Sequence, residues 1–206
     1  MKQKGLLIIT AILAVLLVGA FVLYNSLRDR VDQDRLATFD TQVTQETLET
    51  VEQTEADQDM TEQAEDQEKP LVPDVVLTNW DGEEVMLSDY FGKPLVLNFW
   101  ASWCGPCQLE MPDFQKVYEE MGDEVQFVML NATGGRESVD TAKDFILKKE
   151  YTFPVLFDVS EKAVYTFGAS SLPTTFFIDK EGRLVTYAIG AIPENILRKG
   201  IGMITE

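Results

Sequence analysis

Residues 71 to 206 predict an α/β domain: a central mixed sheet with helices on both faces, extended at its N-terminal side by an extra β-hairpin. Two observations carry this expectation. From Leu95 to about Phe167, short apolar runs of strand length alternate with stretches of helical period, the pattern of βαβ units. Beyond Thr174 the pattern changes to two strands around a turn and a closing helix, which adds antiparallel strands to a sheet otherwise parallel.

The elements follow in order. Val75 to Leu77 and Val85 to Leu87, separated by Asn79-Trp80-Asp81-Gly82, read as the hairpin. Leu95 to Trp100 is a continuous apolar run, as expected of a strand covered on both faces. A helix is predicted from about Pro106 to Met121, with Leu109, Phe114, Val117 and Tyr118 at helical spacing. Val125 to Leu130 reads as a second buried strand, and Ser138 to Lys149 as a helix carrying Val139, Ala142, Phe145 and Ile146. A short strand at Val155 to Phe157 and a helix near Glu161 to Phe167 come next. Thr174 to Ile178 and Leu184 to Ile189 pair around Asp179-Lys180-Glu181-Gly182, and a helix from Pro193 closes the chain.

Two other regions precede the domain. Residues 1 to 27 carry Lys2 and Lys4 before an apolar run over residues 6–24, with no charge until Arg28. About 20 such residues at about 1.5 Å rise span a hydrocarbon core of roughly 30 Å. The run exceeds the roughly 7–15 residues usual in a cleaved signal peptide, and no A-x-A site follows, so an uncleaved anchor in a lipid bilayer is expected. The two lysines keep the N-terminus cytoplasmic and place the rest outside; a cleaved leader gives the same compartment. Residues 28 to 70 are dominated by Asp, Glu, Gln and Thr, with 14 acidic and four basic side chains between Asn25 and Pro70. Such a segment buries too little apolar surface to offset its ordering entropy and is expected as a flexible acidic linker; a helical stalk with Val43, Leu48 and Val51 on one face is the alternative.

Composition excludes several functions. The 206 residues carry 17 basic and 35 acidic side chains, a formal net charge of -18. No Lys/Arg cluster is available to neutralise phosphates, which excludes nucleic acid as a partner. There is no histidine, so the commonest general base, zinc ligand and haem ligand are all missing, and no metal or other cofactor is expected.

The two cysteines lie in Trp103-Cys104-Gly105-Pro106-Cys107, after a buried strand and at the start of a helix. Free N–H groups and the positive end of the helix dipole favour a thiolate there, and the cysteine nearest that end has the depressed pKa. The two-residue spacer brings the second sulfur within bonding reach. Cys104 is therefore the attacking thiolate and Cys107 the resolving one. A zinc site needs four ligands, and haem attachment needs histidine where Gln108 stands. The P-x-x-x-T-x-x-C pattern of a peroxidatic cysteine meets Leu97 and Ala101 instead. A plain structural disulfide leaves the Gly-Pro spacer and the helix-opening position unexplained.

Phe99-Trp100-Ala101-Ser102-Trp103-Cys104-Gly105-Pro106-Cys107 resembles the active-site segment of the thioredoxin superfamily, and Leu172-Pro173-Thr174-Thr175 resembles its second signature. The N-terminal hairpin and Gly92-Lys93-Pro94 are similar to the extracytoplasmic branch named for TlpA and ResA, whose members are membrane-tethered. The resemblance implies a thioredoxin-like fold with Pro173 in cis, and substrate pairing along the backbone of Leu172. Trp103 and Pro106 would flank the sulfurs. Glu110, three residues after Cys107, shares its helical face and could exchange a proton with its thiol, the role this branch gives a glutamate here. Cytoplasmic thioredoxins place a buried aspartate where this chain has Asn98, which shifts proton handling to Glu110 or water. The expected activity is reduction of protein disulfides outside the cytoplasm, with electrons from a membrane donor of thiol-reductase type. A disulfide-forming oxidase and a redox-inert binding module stand as alternatives.

Overall fold

The computed structural model describes Gly19 and residues 69–205. The predicted bilayer anchor at residues 1–27 lies outside the described residues apart from Gly19, and the predicted linker lies outside them apart from its last two positions. Among the described residues no helix is long and apolar enough to cross a membrane. The chain divides into two units, Met1–Leu36 and Ala37–Glu206, and everything below concerns the second.

Strand β3 (Leu95–Trp100) is the axis of the fold, with all six residues buried. It pairs in parallel with β4 (Gln126–Asn131) and antiparallel with β6 (Thr174–Ile178). Outside β4 lie β5 (Val155–Phe157), then β1 (Val76–Thr78) and β2 (Glu84–Met86); outside β6 lies β7 (Leu184–Ile189). The seven-stranded sheet thus runs β2-β1-β5-β4-β3-β6-β7. It is mixed because β3, β4 and β5 are joined by helical crossovers while the hairpins at both ends return antiparallel.

Residues alternate across β3, and the two faces meet different helices. Leu95, Leu97 and Phe99 join Val128, Leu130, Leu156, Phe176 and Ile178 in one buried cluster, closed by Ala163 of α3 (Lys162–Thr166). Phe99, Phe167 and Phe176 contact one another there with ring centroids 5.3–5.7 Å apart. On the other face Phe127 of β4 meets Tyr118 of α1 (Gly105–Met121), and Trp100 meets Phe145 of α2 (Val139–Lys149). Phe177 packs there under Gly200 of α4 (Glu194–Thr205). Each fully buried side chain of this size contributes roughly 1.5–3 kcal/mol, so both layers hold β3 in place.

The predicted elements are present, with boundary shifts that have local causes. The second hairpin strand ends at Met86, and Leu87–Tyr90 turns into a short 3-10 segment. Asp89 accepts the Met86 N–H and Asp74 the Ser88 N–H, which swings Leu87 fully into the core. Helix α1 starts one residue earlier than predicted because Cys104 itself caps it.

Candidate active site

β3 ends at Trp100, and the chain turns through Ala101–Trp103 into α1. Cys104 is the N-cap of α1, with its sulfur accepting the Cys107 N–H at 3.2 Å. Pro106 sits in the first helical turn, where its missing N–H costs nothing and its fixed φ suits the helix. Cys104 and Cys107 form a disulfide, with Cα atoms 5.3 Å apart. The pair is asymmetric: Cys104 keeps 5% of its surface and Cys107 none. Trp103, Gly105 and Pro106 are exposed around it.

The second signature arrives from across the sheet. Thr174, the first residue of β6, pairs with Phe99, which brings the preceding loop beside the turn out of β3. The Leu172–Pro173 bond is cis, as the sequence resemblance implied. Pro173 is buried and its carbonyl accepts the Gly190 N–H at 2.8 Å. A cavity of about 390 Å³ opens between the two loops, lined by Trp103, Cys104, Pro106, Val164 and Leu172 among others, with no charged side chain in its wall.

Glu110 lies one turn beyond Cys107 on α1 and is 98% buried, at 2% exposure. Its Oε1 accepts from the Asn98 amide at 2.9 Å, and its Oε2 from the Ile192 N–H at 2.9 Å. Burial pushes the Glu110 carboxyl up to about 8; the Ile192 and Asn98 donors oppose the rise and the Asp113 charge adds to it. Asn98 also donates to Thr175 Oγ1 at 2.9 Å, while its own buried Oδ1 has no hydrogen-bond partner among the described residues. A carboxyl thus sits in the interior one helical turn beyond the buried cysteine and exchanges its proton near pH 8.

The sequence-predicted residues fall into one constellation. Trp103, Cys104, Pro106 and Leu172 share the cavity, Pro173 follows across the cis bond, and Cys107 and Glu110 stand behind. Two contributors had gone unseen. Asn98, read as the place where a base is lacking, has the further role of the hydrogen-bond donor that holds Glu110. Glu137, 5% exposed, accepts both the Ser102 N–H at 3.0 Å and the Ser102 hydroxyl at 2.8 Å, and so pins the turn that carries the cysteines. The available signal for Asn98 was one amide in an otherwise apolar six-residue run; Glu137 offered none, because its partner is 35 residues away in sequence.

The AhpC/TSA family model matches residues 70–187. The chain is 37% identical over 119 residues to the thiol-disulfide oxidoreductase ResA of Bacillus thuringiensis (strain Al Hakam), covering 57% of this chain and 67% of the relative. It is 32% identical over 138 residues to the thioredoxin-like protein YneN of Bacillus subtilis (strain 168), covering 66% of this chain and 80% of the relative. Among solved structures, the exposed lipoprotein thioredoxin Etrx1 of Streptococcus pneumoniae superposes with a TM-score of 0.57 at 35% identity, over 63% of this chain and 98% of that one.

Proposed function

This chain belongs to the AhpC/TSA family and has its thioredoxin-like fold, and on that premise we propose that it works as a protein-disulfide reductant outside the cytoplasm, tethered to a membrane through residues 6–24. It is a thiol-disulfide oxidoreductase by its relatives and by the Cys104–Cys107 disulfide. The observation that carries the mechanism is the asymmetry of that pair: one cysteine keeps a small exposed edge on a helix N-terminus, and the other has none and lies one helical turn before a carboxyl that titrates near pH 8.

In the reduced protein the Cys104 thiolate, stabilised by the helix end, attacks one sulfur of a substrate disulfide. A Cys104–substrate bond forms, the substrate S–S bond breaks, and one substrate thiolate leaves and is protonated. Cys107 then gives its proton to water, or to Glu110 where that carboxyl is ionised, towards and above about pH 8, and attacks the Cys104 sulfur. The second substrate thiolate departs, and the intramolecular disulfide of the structure results. Two electrons pass to the substrate, and a dithiol of equal electron count must restore the pair, which outside the cytoplasm calls for a membrane donor. Leu172 supports substrate docking by strand addition: among the described residues no hydrogen bond engages its backbone, so its N–H and carbonyl are available to an extended segment.

Direction rests on the Gly105-Pro106 spacer, which resembles that of reducing thioredoxins. The test is the reduction potential of the full chain, equilibrated against a dithiothreitol or glutathione series. A value near the thioredoxin figure of roughly -270 mV supports electron donation; one near roughly -120 mV makes the protein a disulfide-forming oxidase and reverses the proposal.

A further inference from the structure

Arg136 takes no part in the electron transfer, yet the fold sets it against Trp103, a residue of the cavity wall. It belongs to the turn between β4 and α2, closed by two hydrogen bonds, Gly134 N–H to the Glu137 carbonyl at 3.1 Å and Glu137 N–H to the Gly134 carbonyl at 2.9 Å. Gly134 and Gly135 both have positive φ, and a Cβ on Gly134 would run into the Glu161 carboxylate, so the turn is one only glycine allows. Glu137 fastens the same turn to Ser102. At its tip the Arg136 guanidinium lies over the Trp103 ring, 4.4 Å from the centroid.

Two facts make this more than a surface contact. Arg136 is exposed and pairs with no carboxylate among the described residues. The cavity wall beside it is uncharged, and residues 69–205 carry 12 basic against 20 acidic side chains. A guanidinium held over an indole by cation–π attraction still carries the N–H donors of the fork that matches a carboxylate. The ring contact also restricts the side chain, so less freedom is lost on binding. The domain's net charge repels acidic proteins at long range; Arg136 offers attraction at the point where a substrate disulfide must approach Cys104.

We propose that Arg136 is a specificity residue that selects protein substrates with an acidic side chain flanking the disulfide to be reduced. This rests on the thiol-disulfide reading above. The experiment uses the full chain in its reduced form, mixed with two disulfide-bonded peptides that differ only in Glu or Gln beside the reacting cysteine. The second-order rate constant of each is followed by tryptophan fluorescence. Reaction of the Glu peptide about 5-fold faster at low salt, falling towards equality in about 0.5 M salt, is the expected result for one partly exposed ion pair at the site. The Glu/Gln ratio drops to about 1 in Arg136→Gln and inverts in Arg136→Glu. A ratio of about 1 in the wild type, or one that Arg136→Gln leaves unchanged, overturns the selectivity while leaving the oxidoreductase intact. If neither peptide reacts, the disulfide-reducing activity itself is refuted, and the selectivity with it.

Discussion

Replacing Glu110 by glutamine should alter how stability depends on pH, in a direction fixed by the raised carboxyl. Below about pH 4.5 the group is protonated in both the folded and unfolded chain. Between about 4.5 and about 8 the folded protein holds a proton that the unfolded chain has released, so stability falls as pH rises. Above about 8 both forms are ionised and the whole penalty of a buried charge is present. At about 1.4 kcal/mol per pH unit, that interval removes about 5 kcal/mol from the wild type. The E110Q variant has no such proton to lose. It does have one carbonyl where Glu110 offered two acceptors, to Asn98 and to Ile192, which costs about 1–2 kcal/mol at every pH. The two stability profiles therefore cross: wild type is more stable near pH 5 and the variant near pH 9. Urea unfolding of the oxidised chain at pH 5, 7 and 9 reads this, since Trp80, Trp100 and Trp103 are the only tryptophans and all lie in the described domain. A wild-type midpoint that stays level from pH 5 to 9, or an E110Q midpoint that falls in parallel, would refute the assignment of the titration to Glu110.

Other perturbations have equally definite outcomes. Cys107→Ser should accumulate a covalent adduct with a disulfide substrate, visible on a non-reducing gel, because Cys104 attacks and nothing resolves the bond; Cys104→Ser should give none, since Cys107 has no exposed surface. Glu137→Ala strips the acceptor from the Ser102 N–H and hydroxyl and should lower unfolding free energy by about 1–3 kcal/mol, with equal urea midpoints counting against the pin. Gly200→Ala sits in α4, where alanine is the better helix former by about 1 kcal/mol, yet its Cβ would meet the Phe177 ring. A lower melting temperature is expected, because overpacking costs about 1–3 kcal/mol; a higher one would show that the ring moves aside freely.

Much of this was legible in sequence because the signals were local. The apolar run of β3, the cysteine pair with its Gly-Pro spacer, and the turn before β7 each declare themselves within a few residues. Glu110 was legible through helical spacing from Cys107 alone. Its environment was not, because Asn98, Thr175 and Ile192 reach it only once β3 is paired with β6 and α4 has folded back. Pairing register places Asn98 opposite Thr175, and no local pattern encodes that. The 3-10 segment after β2 was missed for a related reason: Leu87 continues the strand's apolar pattern, and the carboxylates of Asp74 and Asp89 decide otherwise.

The lead-in to the domain has a mechanical consequence. The Pro70 carbonyl accepts the Leu184 N–H, Val72 donates to the Gly182 carbonyl, and Arg183 reaches the Lys69 carbonyl. These bonds fasten the start of the domain to the β6–β7 turn, beside Ile178, which pairs with Leu95 at the opposite end of β3 from the cysteines. The six residues of β3 separate the two ends by about 20 Å. A pull applied to the chain at Lys69 would therefore reach the β6–β7 turn first, about 20 Å along β3 from the sulfur-bearing pole.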